Sequence, residues 1–254
     1  MHNQGVSGLC LLDRRELLDL MPGCELGPDV LGASLQPRDG HINPLMVLRG
    51  FHAGLVAEGA AHLSGADVVG IERDGHFRIL RADGAMVHAA RIVVAAGLGT
   101  PQLAAMIGPD VPVRPIRGQN IVTERLPPVL PLPASALRQT VDGTVQIGIT
   151  SEDDGDPEPR TRVENLSTMA AQAIRILPAL AQARSLRSWG ALRPMTPDKL
   201  PAYAESETHP GAFVAVCHSA QTLAPQHAGP LAKGILAGRL PDTVADFHPR
   251  RFHV

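Results

Sequence analysis

Two stretches of the chain, RIVVAAGLGTPQLAAMIG (91–108) and AFVAVCHSAQTLAPQHAGPLAKGIL (212–236), share one grammar. Each begins with a run of apolar, partly β-branched residues, passes through a short knot, and continues in a helical pattern. A strand that re-enters a helix this quickly needs a neighbouring strand and a covering helix layer. These units therefore commit the chain to an α/β arrangement containing parallel-type strands. A strand, a glycine turn and a helix N-terminus also make a cradle for phosphate. In the first unit, however, Gly97 and Gly99 have no third glycine three residues on; position 102 is Gln102. The turn is a cofactor loop, a decayed one, or a simple turn.

The rest of the chain alternates two periods. Asp13 with Glu16 predicts a capped helix over RRELLDLMPG, stopped at Pro22-Gly23. VLGASLQ (30–36) reads as a strand. Asn43 and Pro44 open a helix on which Leu45, Leu48, His52 and Leu55 recur until Gly59. ADVVGIE and HFRILRA end at the Asp-Gly pairs 74–75 and 83–84, and MVHAARIVVAA closes a three-strand set, with Ile92, Val93 and Val94 as a buried strand. TPQLAAMIG is a short helix with Thr100 as cap. VPVRPIRGQNIVTE is a long strand, LPPVLPLP a surface connection, and ALRQT with TVQIGIT a hairpin about Asp142-Gly143. The acidic loop SEDDGDPEP is expected to be solvated. A helix over 163–183 breaks near Pro178, SLRSWGALRP is a strand, and Thr222 to Ala237 is a second strong helix. The middle, about 112–195, is strand-rich; the flanks, about 30–110 and 196–254, are α/β in character.

A formal charge of −2 and 3% aromatic residues give no electrostatic or stacking case for nucleic acid. No apolar run approaches the roughly 20 residues of a membrane span, so a cytoplasmic address is the default expectation. Cys10, Cys24 and Cys217 form no C-x-x-C pair, and the eleven histidines show no i, i+4 pair beside a carboxylate. No metal is expected. The C-terminal HPRRFH reads as a frayed tail. Only Lys199 and Lys233 are lysines among 23 basic residues, a bias that weakens any inference from an arginine alone.

Three places offer chemistry. Backbone N–H groups in the knot after Val216, with a helix behind them, suit developing negative charge; alternatively Ser219 or Thr222 caps the helix. In WGALRPMTPDKLP, Arg193 at a strand end, fixed by Pro194, suits a two-point grip on a carboxylate, though a surface ion pair is the commoner fate of such an arginine. In DGHINP, Asp39 and His41 are polar groups near a site or simply turn residues. No nucleophile elbow, P-loop or HExxH motif occurs, so an enzyme of this kind would take its reactive chemistry from a cofactor.

Taken in order, DGHINPL, GADVVGIERDG, RIVVAAGLGTPQLAAMIG, VPVRPIRGQNIVTE, DGTVQIGITSEDDG, WGALRPMTPDKLP and CHSAQTLAP resemble the D-amino-acid oxidase and sarcosine oxidase-like family of FAD-dependent oxidoreductases. Within it, AAGLG and CHSAQTLAP look most like the beta-type subunits of opine oxidase, D-hydroxyproline dehydrogenase and hydrogen cyanide synthase. The resemblance implies a mixed α/β (α+β) fold: a partial Rossmann-like FAD-binding domain, 1–111 and 196–254, interleaved with a mixed-sheet substrate domain, 112–195. It implies noncovalent FAD and oxidation of a CH–NH bond in an amino acid or secondary amine, with hydride passing to flavin N5. Arg193 matches the arginine that holds the substrate carboxylate, with His41 as a further candidate. Val68 matches the adenine contact, Ala96 and Gly97 the ribose and pyrophosphate turn, and His218, Ser219, Ala220, Gln221 and Thr222 the loop facing the flavin. Met195 stands where the sarcosine oxidases have their tethering cysteine.

Three departures shape the expectations. Ala220 replaces a glycine of a loop turn, and Leu98 an aromatic residue. Family members also open with a strand, G-x-G-x-x-G and an acidic residue, and nothing of this kind precedes Asp13. The expectation is an N-terminally truncated or divided enzyme that needs a missing segment or partner subunits and exposes apolar edges and helix faces without them. The alternatives are a non-catalytic interaction module, and a nicotinamide enzyme using GLGTPQ. The last is disfavoured because no acidic residue follows about 20 positions on in a next strand.

Overall fold

The computed structural model describes residues 8–148 and 150–252. The chain divides into two compact units, Met1–Asn43 with Arg117–Leu192, and Pro44–Ile116 with Arg193–Val254. The chain thus passes from one to the other three times.

In the first unit, β1 (Cys10–Asp13) pairs antiparallel with β2 (Gly32–Leu35), and α1 (Arg14–Leu20) lies between them in the chain. The capping box forms as expected. Asp13 accepts the Glu16 N–H and Glu16 accepts the Asp13 N–H, each at 2.8 Å. Gly32 is required by close approach, since a Cβ there would lie 2.2 Å from the Leu12 carbonyl. A four-stranded sheet follows in the order β10, β7, β9, β8, where β7 is Arg114–Arg125, β8 Leu137–Gln139, β9 Thr144–Gly148 and β10 Ser185–Met195. α4 (Val163–Ile176) lays Met169 and Ala173 onto a core shared with Ile121, Val145 and Ile147. Leu17, Met21 and Cys24 join that same core. Burial of this first helix is why residues up to 43 group with the middle of the chain, whereas the sequence placed them with the flanks.

The acidic loop is mostly exposed, as expected, but three of its carboxylates meet a buried cation. Arg117 is 1% exposed, and its guanidinium donates to Glu152 at 2.9 Å, Asp154 at 2.6 Å and the Glu158 carbonyl at 3.1 Å, with Asp156 at 3.0 Å. Gln119 donates to Glu152 at 2.7 Å and accepts the Arg162 N–H at 2.8 Å. A buried cation is costly unless carboxylates surround it. SEDDGDPEP supplies them.

In the second unit, β3 (Val68–Asp74), β4 (His76–Arg81) and β5 (Met86–Ala89) form an antiparallel meander turned at the Asp-Gly pairs, with Gly75 and Gly84 at positive φ. MVHAARIVVAA is not one strand. It breaks after Ala89, and β6 (Ile92–Val94) leaves the meander to pair parallel with β12 (Ala212–Val216), which pairs antiparallel with β11 (Ala202–Glu205). Phe77, Val94, Ile107 and Val214 share the core between these layers. Of the three β6 residues only Val94 is buried; Val93 is 43% exposed. α3 (Thr100–Ala105) starts after a 3-10 turn, Gly97–Gly99, so Thr100 lies inside the helix and does not cap it. The C-terminal stretch is not frayed either. Arg251 grips Asp198 at 2.7 and 3.1 Å and the Pro201 carbonyl at 2.8 Å.

α2 (Pro44–Ala57) forms where Asn43 and Pro44 predict a helix, but no residue of it is buried. Leu45, Leu48, Phe51, Leu55 and Val56 are all more than half exposed. The expected apolar stripe has no cover among the described residues. No helix among them is long and apolar enough to cross a membrane, and no group of three or more metal-ligating side chains occurs among them.

Candidate functional site

The parallel register of β6 and β12 sets the geometry. Val94 stands opposite Val214 with both strands running the same way, so the chain leaves both at one edge of the sheet. That edge carries Ala95–Gly99 from one strand and Cys217–Leu223 from the other. The carboxyl ends of parallel strands are where open α/β sheets bind ligands.

Gly97 holds φ +56, a conformation that favours glycine. Its missing Cβ would sit 3.8 Å from Pro194 Cγ. The turn therefore abuts the end of β10, where Arg193 is half-buried and Met195 is buried. Behind the turn, the Thr100 hydroxyl is fully buried and has no hydrogen-bond partner among the described residues. Buried hydroxyls are rarely left so. A glycine turn at positive φ and a second loop at the same sheet edge fit a bound dinucleotide phosphate.

The second loop does not close its helix with a side chain. α5 (Ala224–Gln226) has Leu223 as N-cap and no side-chain capping bond, so neither Ser219 nor Thr222 acts as a cap. Ser219 Oγ instead meets His218 Nδ1 at 3.0 Å. The helix expected from Thr222 begins at Ala224 and passes through a π-turn, His227–Leu231, into α6 (Ala232–Ala237). Pro230 within that turn has no N–H to give an ordinary helical turn, which accounts for the widened ring. Ala220 does not take positive φ, so replacing glycine there costs no backbone strain.

Beside the loop lies a cavity of about 490 Å³, with Lys199, Tyr203, Cys217, His218, Ser219 and Thr222 among its lining. Its floor is neutral. Tyr203 Oη lies 2.8 Å from His227 Nε2. Burial, with Cys217 adding to it, pushes the phenol up to about 12. Burial lowers His227, and burial raises the Cys217 thiol against the opposing Ser219 amide. Burial thus favours the neutral forms of both members of this hydrogen-bonded pair.

Ala96, Gly97, Arg193 and the loop His218, Ser219, Ala220, Gln221 and Thr222 all belong to the second unit. Within it, the Gly97 turn lies against the end of β10, and Ala96, Gly97 and the loop leave the sheet at one edge. Val68 starts β3 on the neighbouring sheet, opposite Arg81. His41 lies in the first unit, where its Nδ1 is 3.3 Å from Arg138 Nη1. Arg138 also donates to Gln146 at 2.5 Å and to the Ile42 carbonyl. Arg138 and the Tyr203–His227 pair were missed by the sequence reading. Their partners are 97 and 24 residues away, and no local pattern announces them.

The family described as "DAO: FAD dependent oxidoreductase" matches residues 1–232. A subunit of the opine oxidase of Agrobacterium tumefaciens (strain Ach5) is 37% identical over 247 residues, covering 96% of this chain and 65% of that protein. The HcnC subunit of the hydrogen cyanide synthase of Pseudomonas aeruginosa is 33% identical over 198 residues, covering 75% of this chain and 46% of that protein. The chain thus spans about two thirds or less of the length of these relatives. The crystal structure of glycine oxidase from Geobacillus kaustophilus superposes with a TM-score of 0.86 at 23% identity, over 96% of this chain and 67% of that one. That last likeness concerns the fold.

Proposed function

The chain belongs to the DAO family of FAD-dependent oxidoreductases, and from that premise we propose that it oxidises the CH–NH bond of an amino acid or secondary amine (a D-amino acid, imino acid or opine-like compound). FAD, when bound, supplies the hydride acceptor. Everything else falls to the chain's own residues. Arg193 holds the substrate carboxylate with two hydrogen bonds. Ala96 and Gly97 allow the ribose and pyrophosphate to approach the backbone, and Val68 meets the adenine. The loop of His218, Ser219, Ala220, Gln221 and Thr222 would line the flavin edge where reduction gathers negative charge. Met195 offers no nucleophile, so the cofactor is held noncovalently. His41 is a polar residue of the substrate-binding unit, and Arg138 fixes its orientation.

The observation that supports this reading most is the meeting of the Gly97 turn with Pro194, next to Arg193, at the sheet edge where the 217–223 loop also emerges. Visible spectroscopy tests it: a protein-bound flavin band that bleaches anaerobically on adding a D-amino acid or imino acid. With Arg193→Ala, KM for carboxylate substrates rises at least about tenfold, the worth of one charge-assisted contact; an unchanged KM sinks its assigned role.

A covering polypeptide is the second element of the proposal. α2 buries none of its residues, and Val93 is exposed on β6. By likeness to relatives whose names mark them as subunits, we propose that partner subunits or a further segment cover these surfaces and complete the flavin site. The reading of the chain as a non-catalytic module rests on these same surfaces. It predicts binding of the partner with no flavin band.

A further inference from the structure

The outer face of the β3–β5 meander carries two histidines from different strands. His76 opens β4 opposite Asp74, and His88 stands on β5 opposite Arg78. Residues two apart on a strand share a face, so His76 and His88 are diagonal neighbours across the β4–β5 pair; Phe77, between His76 and Arg78, is buried on the other face. The two rings close that diagonal. His76 Nε2 lies 3.0 Å from His88 Nδ1, with ring centroids 5.0 Å apart and planes at 51°. The nitrogen edges therefore face each other, and both residues are exposed. No motif announces the pair, since it is made across two strands by residues 12 apart. His52 and His62, in the same unit, meet differently: edge against face at 81°, with centroids 4.9 Å apart and no hydrogen bond between their nitrogens among the described residues.

A nitrogen–nitrogen distance of 3.0 Å serves a hydrogen bond, and it also serves a metal. Imidazole nitrogens bind transition metals at about 2.0–2.1 Å. Two of them bound cis therefore lie about 2.9 Å apart at a right angle and about 3.3 Å apart at a tetrahedral one. The His76–His88 distance matches the right angle, the geometry of copper(II) and nickel(II) with nitrogen and oxygen ligands. The surrounding charge favours a dication. Arg78, the cation opposite His88, gives its guanidinium to Glu72 on β3, and Asp74 stands opposite His76. No third His, Cys, Asp or Glu joins the pair among the described residues. The remaining coordination positions fall to water or to a small chelating ligand.

We propose that His76 and His88 form a binding site for a tetragonal transition-metal dication, copper(II) before nickel(II), held by two cis imidazole nitrogens. The metal replaces the hydrogen bond between the rings: each turns a lone pair to it and keeps its proton on the nitrogen facing away. The site lies at the Asp74-Gly75 end of the meander, the opposite end of β3 from Val68. It is separate from the residues assigned to flavin and substrate and needs neither.

The test uses the full chain without flavin and copper(II) iminodiacetate, a chelate that leaves positions open for protein nitrogens, with binding followed by calorimetry and electron paramagnetic resonance. The wild-type chain shows two histidine nitrogens in the copper spectrum. It binds the chelate at least about tenfold more tightly than His76→Gln or His88→Gln, because the second nitrogen binds intramolecularly. Both side chains are exposed, so these variants keep the circular dichroism of the wild type. His52→Gln, which removes the edge-to-face pair, leaves the affinity unchanged. A wild-type affinity matched by either variant, a spectrum with a single histidine nitrogen, or an equal loss in His52→Gln would each overturn the proposal and leave an adventitious ion only. None of these outcomes involves a flavin band, so failure here is distinguishable from failure of the redox reading.

Discussion

α2 and α4 are each 14 residues long, and they meet opposite fates. α4 buries Met169 and Ala173 and packs Leu166, Ala170 and Ile174 beside them, while Glu164 and Arg175 stay on its outer side. α2 carries more apolar residues and a single charge, Arg49, yet buries none of them. Periodicity announces that a helix forms and that one face is apolar; it does not say what covers that face. In water a lone helix of this length is marginal, and Gly50 and Gly54 each cost it up to about 1 kcal/mol relative to alanine. α4 has its partner within its own unit. α2 buries no residue, and in the proposal above a partner subunit or further segment covers it.

The comparison breaks most easily at the core. Met169→Ala removes a buried side chain from the first unit, and urea unfolding should show a loss of about 2–5 kcal/mol. A loss below about 1 kcal/mol would mean that α4 is no better packed than α2. Acid titration gives a smaller effect, confined to the first unit. Burial would raise Glu152, but hydrogen bonds from Thr150, Gln119 and Arg117 outweigh it and hold the carboxyl at about 2. The Glu158 amide, against burial and with Arg160, Arg162 and Arg117, holds Asp156 well below the usual range. Both folded values lie below the unfolded ones. The stability they contribute is therefore present above about pH 4.5 and lost progressively as pH falls toward 2. Glu152→Gln should flatten part of this acid dependence in denaturation curves measured between those limits; an unchanged pH profile would remove the network from the account. The smallest effect belongs to α2. Leu48→Ala should change the stability of the isolated chain by less than about 0.5 kcal/mol, and a loss of about 2 kcal/mol, the range of a buried leucine, would reveal packing that the structure does not show.

What the sequence made legible was local. The Asp13–Glu16 capping box, the Asp-Gly turns of the meander and the strand 212–216 each depend on neighbours a few residues away. What it hid was set at long range. The engagement of Glu152, Asp154 and Asp156 stayed hidden because their cation, Arg117, lies 35 residues before Glu152. The tail looked frayed because Arg251 finds Asp198 from 53 residues away. MVHAARIVVAA looked like one strand because the partner that takes Ile92–Val94 out of the meander is β12, far along the chain. The site divided the same way. Gly97 and Arg193 stood out by local chemistry, whereas the Tyr203–His227 pair joins residues 24 apart.

The central claim is that this chain holds a flavin once its exposed surfaces are covered. The direct measurement is the anaerobic visible spectrum of the chain with FAD, co-expressed with the part of the Agrobacterium tumefaciens opine oxidase relative that the chain does not span, while hydrogen exchange is followed along α2. The account predicts that α2 gains protection and that the same complex shows a flavin band bleached by a D-amino acid or imino acid. A complex that protects α2 yet stays colourless would contradict it.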